Sequence, residues 1–172
     1  LGDVYKRQGQ NWYVKKIDSQ IFIGNDAATM CVEPGGQIRA VPATSNSTCI
    51  MEAYINGQEV LVEASYAELR IWKKKEGIWQ LSHSVKGFYA PIKSLEIDAT
   101  GAIWASHMYT GLYRIKLDDD LCTIKEKEYI QTLGGKIGFG KIHVMKIRGH
   151  IVFSSAEGYY MYDDCLLYTS PS

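Results

Sequence analysis

Apolar and polar residues alternate along this chain in short runs, and Gly, Asn and Asp break the runs. Tyr, Trp, Ile and Val dominate them, and no window carries the periodicity of an amphipathic helix. Alternation with a period of two sorts side chains onto the two faces of a strand. The pattern therefore predicts an all-β protein. It also recurs. Segments 13–23, 53–62, 94–105 and 144–153 each read as a strand, a tight polar turn and a more apolar strand. The turns are Asp18-Ser19, Asn56-Gly57, 98–101 and Arg148-Gly149, and the anchors Ile17, Ile55, Ile97 and Ile147 lie 38, 42 and 50 residues apart. Third strands are expected at 29–32, 69–73, 112–117 and 159–162, and fourth, more polar strands at 38–41, 79–83 and 124–129. Four strands per repeat at this spacing is the period of a propeller blade. The expected fold is a partial β-propeller of about three and a half four-stranded antiparallel blades, with repeats near 9–50, 51–91, 92–140 and 141–164.

The two ends change how much of the chain enters that reading. Residues 1–8 are LGDVYKRQ and residues 165–172 are CLLYTSPS. The head can be encoded CTC GGA GAT GTG TAT AAG AGA CAG. Its reverse complement, read one base on, encodes Cys-Leu-Leu-Tyr-Thr-Ser-Pro and ends on AG, the first two bases of a Ser codon, which matches the tail. Inverted copies of one DNA resemble a translated transposon-end sequencing adapter. Both ends are accordingly set aside from fold reasoning, and 9–164 is expected to be an internal stretch of a protein that continues in both directions. The tail would then cut the fourth repeat short. An arc of this kind leaves inter-blade faces open, and exposed apolar sheet faces favour association.

Charge excludes little. The sequence has 19 basic and 19 acidic residues, so nothing points to nucleic acid or an anionic membrane as a direct partner. Outside the adapter-like tail the cysteines are Cys31, Cys49 and Cys122, too scattered for a zinc site or a disulfide framework. No apolar run is long enough to suggest a membrane helix.

The third repeat is the most specific. Asp98-Ala-Thr-Gly101-Ala-Ile103-Trp104 followed by Gly111-Leu112-Tyr113-Arg114 resembles the repeat of two-component-regulator propellers. Those are sensor domains of large membrane-spanning regulators of gut Bacteroidetes. The run 103–117, and 151–163 in the last repeat, is similar to one branch. In that branch the propeller precedes a triple-tyrosine immunoglobulin-like domain, a membrane helix and a LuxR-type helix-turn-helix. Ala27-Ala28 and Ala67-Glu68 depart from the pattern, because a glycine is expected before the third strand. The resemblance implies a periplasmic domain that senses a small ligand, often a glycan fragment, with no catalysis of its own and with a dimer as a state open to the full-length protein. A polysaccharide-acting propeller enzyme (lyase or hydrolase) and a protein-interaction propeller are the alternatives. Gly101 suits a turn requiring positive φ, Trp104 an inter-blade core position, and Gly111 a sharp entry into the third strand; with Asp98 and Tyr113 these are structural duties.

Candidate chemistry is thin. Asp118-Asp119-Asp120 lacks the spaced ladder of a calcium loop. His83, His107, His143 and His150 lack metal-ligand spacing, and Ser47 and Ser65 lack a nucleophile-elbow context. No catalytic residue, metal or cofactor is assigned. In a propeller the second-to-third-strand loops and the blade-to-blade loops share one face. Here those loops carry Tyr66, His107, Tyr109, Phe88, Tyr89 and Phe139. Aromatic faces beside polar groups suit sugar rings or peptides, so His107, Tyr109, Tyr66, Phe88 and Tyr89 are the candidate ligand-binding residues. Glu63 and Glu157 are the acids that an enzyme would use on that face.

Overall fold

The computed structural model describes residues 9–133, 136–137, 142–156, 158–163 and 166–169. They form strands only. The first blade is β1 (Asn11–Ile17), β2 (Gln20–Asn25), β3 (Met30–Val32) and β4 (Ile38–Ala40). The second is β5 (Ser47–Ile55), β6 (Gln58–Ser65), β7 (Leu69–Lys75) and β8 (Ile78–Ser84). The third is β9 (Ile92–Ile97), β10 (Ile103–His107), β11 (Leu112–Leu117) and β12 (Ile124–Ile130). A short hairpin, β13 (Thr132–Leu133) and β14 (Lys136–Ile137), leads to the fourth, β15 (His143–Ile147), β16 (His150–Ser155), β17 (Gly158–Asp163) and β18 (Leu166–Thr169). Each blade is an antiparallel meander with its strands in chain order. The first strands sit together, β1 beside β5, β5 beside β9 and β9 beside β15. This is a propeller arrangement of four blades. It exceeds the expected three and a half because β18, within the adapter-like tail, pairs with β17 and fills the last outer position. Backbone pairing makes few demands on side chains, and an open strand edge accepts any extended segment.

The turn chemistry is what the sequence requires. Asn56-Gly57, Glu76-Gly77 and Arg148-Gly149 all have positive φ at both positions, the geometry that matches strand twist in two-residue hairpins. The third blade differs. Ile97 pairs directly with Ile103, leaving a five-residue turn organised by Asp98. One oxygen of Asp98 accepts the backbone N–H groups of Thr100 (2.9 Å) and Ala102 (3.1 Å), and the other accepts Trp104 Nε1–H at 2.8 Å. Burial opposes ionisation of Asp98, but the hydrogen bonds from Thr100, Trp104 and Ala102 prevail and hold its carboxyl below the usual range. Asp118-Asp119-Asp120 is a solvated turn in which Asp120 accepts the backbone N–H groups of Cys122 (2.8 Å) and Thr123 (3.0 Å).

The core is laid down as seams between successive blades. Ile17, Phe22 and Cys31 meet Ile50, Leu61, Trp72 and Trp79 in the first seam. Val60, Val62 and Ile71 meet Ile97, Ile103 and Ile115 in the second. Trp104 and Leu112 meet Val144, Ile151, Phe153 and Tyr160 in the third. Each blade thus has a leading face toward its predecessor and a following face toward its successor.

Candidate functional site

The loops of one face are tied to each other through their backbones. Asn46 N–H donates to Asp26 O (2.9 Å), Tyr66 N–H to Asn46 O (3.2 Å) and Met108 N–H to Pro91 O (2.8 Å). Blade-to-blade and second-to-third-strand loops are therefore joined in two groups, one holding Asp26, Asn46 and Tyr66 and one holding Pro91 and Met108, which fixes where the candidate aromatic residues stand.

A device repeats at the root of these loops. The last residue of the second strand caps the loop that follows. Asn25 Oδ1 accepts Ala27 N–H at 2.8 Å in the first blade. Ser65 Oγ accepts Ala67 N–H (3.1 Å) and Glu68 N–H (2.9 Å) in the second. His107 Nδ1 accepts Tyr109 N–H (3.1 Å) and Thr110 N–H (3.3 Å) in the third. Such side-chain acceptors replace the turn-forming backbone hydrogen bond. Ala27, Ala28, Ala67 and Glu68 all lie outside the positive-φ region, so these two loops do not require the glycine that the third blade has. His107 is thereby a loop-positioning residue. Burial lowers its pKa, which favours the neutral imidazole able to accept both bonds.

The candidate residues separate into two groups. Tyr89 and Tyr109 are exposed, 82% and 67%. Tyr66 is half-buried and meets Trp12 of the first blade edge-on, ring centres 5.4 Å apart. Phe88 departs from the expectation. It is 1% exposed and packs edge-on against Tyr113 at 5.2 Å, so its ring is core and only its neighbour Tyr89 reaches solvent. In the third blade an aromatic corner forms. Tyr113 and Tyr129, cross-strand partners, stack at 4.5 Å. His107 lies 5.8 Å from Tyr109 and 6.3 Å from Tyr113. Tyr129 O–H donates to Thr110 O at 3.0 Å and closes the corner. Phe139 and Glu157 lie outside the described residues.

Gly111 is essential to this corner. Its φ is +86°, and a Cβ there would lie 2.4 Å from Tyr129 Cε2. Gly111→Ala is expected to cost about 1–3 kcal/mol, the usual cost of a side chain at positive φ, with further loss from displacing Tyr129. A thermal melt checks this; an unchanged midpoint would show that the third blade does not need the close approach.

Glu63 is not available as a surface acid. It is fully buried. Trp72 Nε1–H donates to it at 2.8 Å and the Thr29 hydroxyl donates to its other oxygen. Arg70 Nη1 lies 3.5 Å from that second oxygen. Burial pushes the thiols of Cys31 and Cys49 up to about 11 and about 12, so neither is a thiolate nucleophile near neutral pH. Among the described residues no group of His, Cys, Asp and Glu could hold a metal ion. His83 joins blades instead: its Nε2 bonds to Leu121 O at 2.9 Å. Two depressions occur elsewhere. One of about 620 Å³ lies between the outer strands β4 and β8, lined by Glu33, Ile38, Arg39, Ile78 and Gln80. One of about 190 Å³ lies between the turns at Asp98 and Gly149. Neither is lined by His107, Tyr109, Tyr66 or Tyr89.

No family model matches the chain, and no curated protein is significantly similar. Solved structures share its shape. A protein of unknown function from Bacteroides caccae superposes with a TM-score of 0.54 at 8% identity, over 95% of this chain and 61% of its own. YCF48 from Cyanidioschyzon merolae superposes at 0.50 and 14% identity, over 94% of this chain and 58% of its own. An engineered GH43 glycoside hydrolase with endo-xylanase and exo-arabinofuranosidase activity gives 0.47 at 11% identity, too low to bear on fold or function. The chain spans about three fifths of the first two proteins, and at these identities the likeness is one of fold alone.

Proposed function

We propose that this chain is a ligand-sensing propeller without catalysis of its own. In this reading it faces the periplasm as part of a membrane-spanning regulator and takes a small ligand, a glycan fragment by chemical class. The observation that carries the reading is the aromatic corner of the third blade. There an exposed Tyr109 ring stands on a loop held by His107, beside Tyr113 and Tyr129. Sugar rings present flat apolar faces that stack on aromatic side chains, while hydroxyls and carbonyls at the edge orient them. An exposed platform of this kind binds a saccharide along its surface and needs no deep cavity. The resemblance of the third repeat to two-component-regulator propellers supplies the sensing role. The hydrolase or lyase reading has less behind it, because one of its two candidate acids, Glu63, is enclosed in an ion pair.

Titration calorimetry with short xylan, arabinan and mannan oligosaccharides tests the proposal. At least one should bind, and Tyr109→Ala should weaken it by about 1 kcal/mol, several-fold in Kd, as loss of one aromatic stack does. The melting temperature should stay unchanged, since the Tyr109 ring is mostly in solvent. Binding that is indifferent to Tyr109→Ala would move the site off this corner.

A further inference from the structure

Among the described residues no large hydrophobic side chain is more exposed than Tyr89, at 82%. Phe88 and Ala90 on either side of it are buried, so the loop is pinned at both shoulders and the ring is held out from it. A ring presented in this way loses little conformational entropy when a ligand stacks on it. A scattered surface aromatic needs no explanation, but two contacts bring this one to the aromatic corner of the third blade. Phe88 packs against Tyr113 with ring centres 5.2 Å apart, and Pro91 O accepts the backbone N–H of Met108 at 2.8 Å. The rings then run in the order Phe88, Tyr113, His107, Tyr109, with successive centres 5.2, 6.3 and 5.8 Å apart. Tyr89 is attached at the first end of this row, and the exposed Tyr109 stands at the other. Through Pro91 and Met108, three residue steps of about 3.8 Å each and one hydrogen bond separate the Cα atoms of the two tyrosines. A single extended ligand can therefore reach both.

We propose that Tyr89 is a second stacking subsite of this platform, and that the platform takes an oligosaccharide laid across both tyrosines, not a single sugar. This role rests on the saccharide reading of the corner. One sugar ring has the area to stack on one aromatic ring, so filling both ends of the row requires linked sugars. Once the first sugar is stacked on Tyr109, the glycosidic linkage holds the following ones near Tyr89, and the second contact forms at a high effective concentration. Affinity therefore rises with chain length until both rings are covered and then levels off. Tyr109 supplies the first contact, and Tyr89 makes the platform sensitive to the length of the chain.

Titration calorimetry with xylose, arabinose and mannose and with their linear oligomers up to the hexasaccharide tests this. In the series that binds, the longest chains should bind the parent more tightly than the monosaccharide does. Tyr89→Ala should remove about three- to tenfold of that gain, the worth of one aromatic stack, and only for chains long enough to span both rings. Tyr89→Phe keeps the stacking face and should retain the gain. Both variants should melt like the parent, since the Tyr89 ring is in solvent. Long-chain affinity that is indifferent to Tyr89→Ala, with Tyr109→Ala still weakening binding, overturns the second subsite and leaves the corner as a one-sugar site. An equal loss at every chain length also overturns it, because Tyr89 would then share the sugar held by Tyr109. Absence of binding by every oligomer, or binding indifferent to Tyr109→Ala, overturns the saccharide reading itself and the second subsite with it.

Discussion

Trp104→Ala is expected to lower the free energy of unfolding by about 3–5 kcal/mol, the range for removing a large aromatic side chain from a packed core. Trp104 is fully buried in the seam between the third and fourth blades. Its ring lies 4.5 Å from Tyr162 and 6.2 Å from Phe153. The Arg114 guanidinium sits 5.6 Å from one ring and 5.5 Å from the Tyr162 ring. Removal of the indole therefore does more than open a cavity. Asp98 loses the N–H donor at 2.8 Å that helps hold its turn, and Arg114, whose buried Nε has no hydrogen-bond partner among the described residues, loses one of its two aromatic faces. These losses place the expected value in the upper half of the range. Trp104→Phe keeps part of the ring but no donor, and should cost about half as much. Urea denaturation followed by circular dichroism separates the two variants. A Trp104→Ala protein with an unchanged midpoint would mean that the third seam contributes little to cooperative stability.

The order of strands was legible because hairpin signals are local. Asn56-Gly57 and Arg148-Gly149 announce their turns in two residues, and the alternation on each side follows from the pleat. The faces were less legible. Ile17 and Ile55 lie on following faces, whereas Ile97, aligned with them in sequence, lies on a leading face and packs against the second blade. The five-residue turn at Asp98 shifts the third blade by one position, and a shift of one residue exchanges the two faces of a strand. The loop caps were not legible at all. Asn25, Ser65 and His107 share a position and a task, yet an amide, a hydroxyl and an imidazole have no common sequence signature. Phe88 and Tyr89 are adjacent loop aromatics in the sequence, and adjacency conceals that one points inward while the other is in solvent. Tyr129 was missed as a member of the aromatic corner. The signal for it was Gly111: a glycine entering a strand often marks close approach by another group, and here that group is the Tyr129 ring.

Arg70→Met is expected to destabilise by about 3–5 kcal/mol, because breaking a buried ion pair strands a charge that water cannot reach. Arg70 and Glu63 face each other across β6 and β7 in direct register, with side chains 3% and 0% exposed. A carboxylate in the otherwise apolar run Val60-Leu-Val-Glu-Ala64 is tolerable only with partners, and three are present: Arg70, the Thr29 hydroxyl and Trp72 Nε1–H. Arg70 also reaches outward. Its Nε donates to Glu68 at 2.8 Å and its Nη2 to Ser45 O at 2.9 Å. One guanidinium thus links the seam of the first two blades to the loops that carry Asn46 and Tyr66, so its loss should loosen those loops as well as the core. A double-mutant cycle isolates the ionic part. In a Glu63→Gln background the amide still accepts from Trp72 and leaves no charge behind, so the cost of Arg70→Met should fall by about 1–3 kcal/mol, the coupling of residues in one network. Equal costs in the two backgrounds would reassign the role of Arg70 to its loop hydrogen bonds, with the buried pair contributing no coupling of its own.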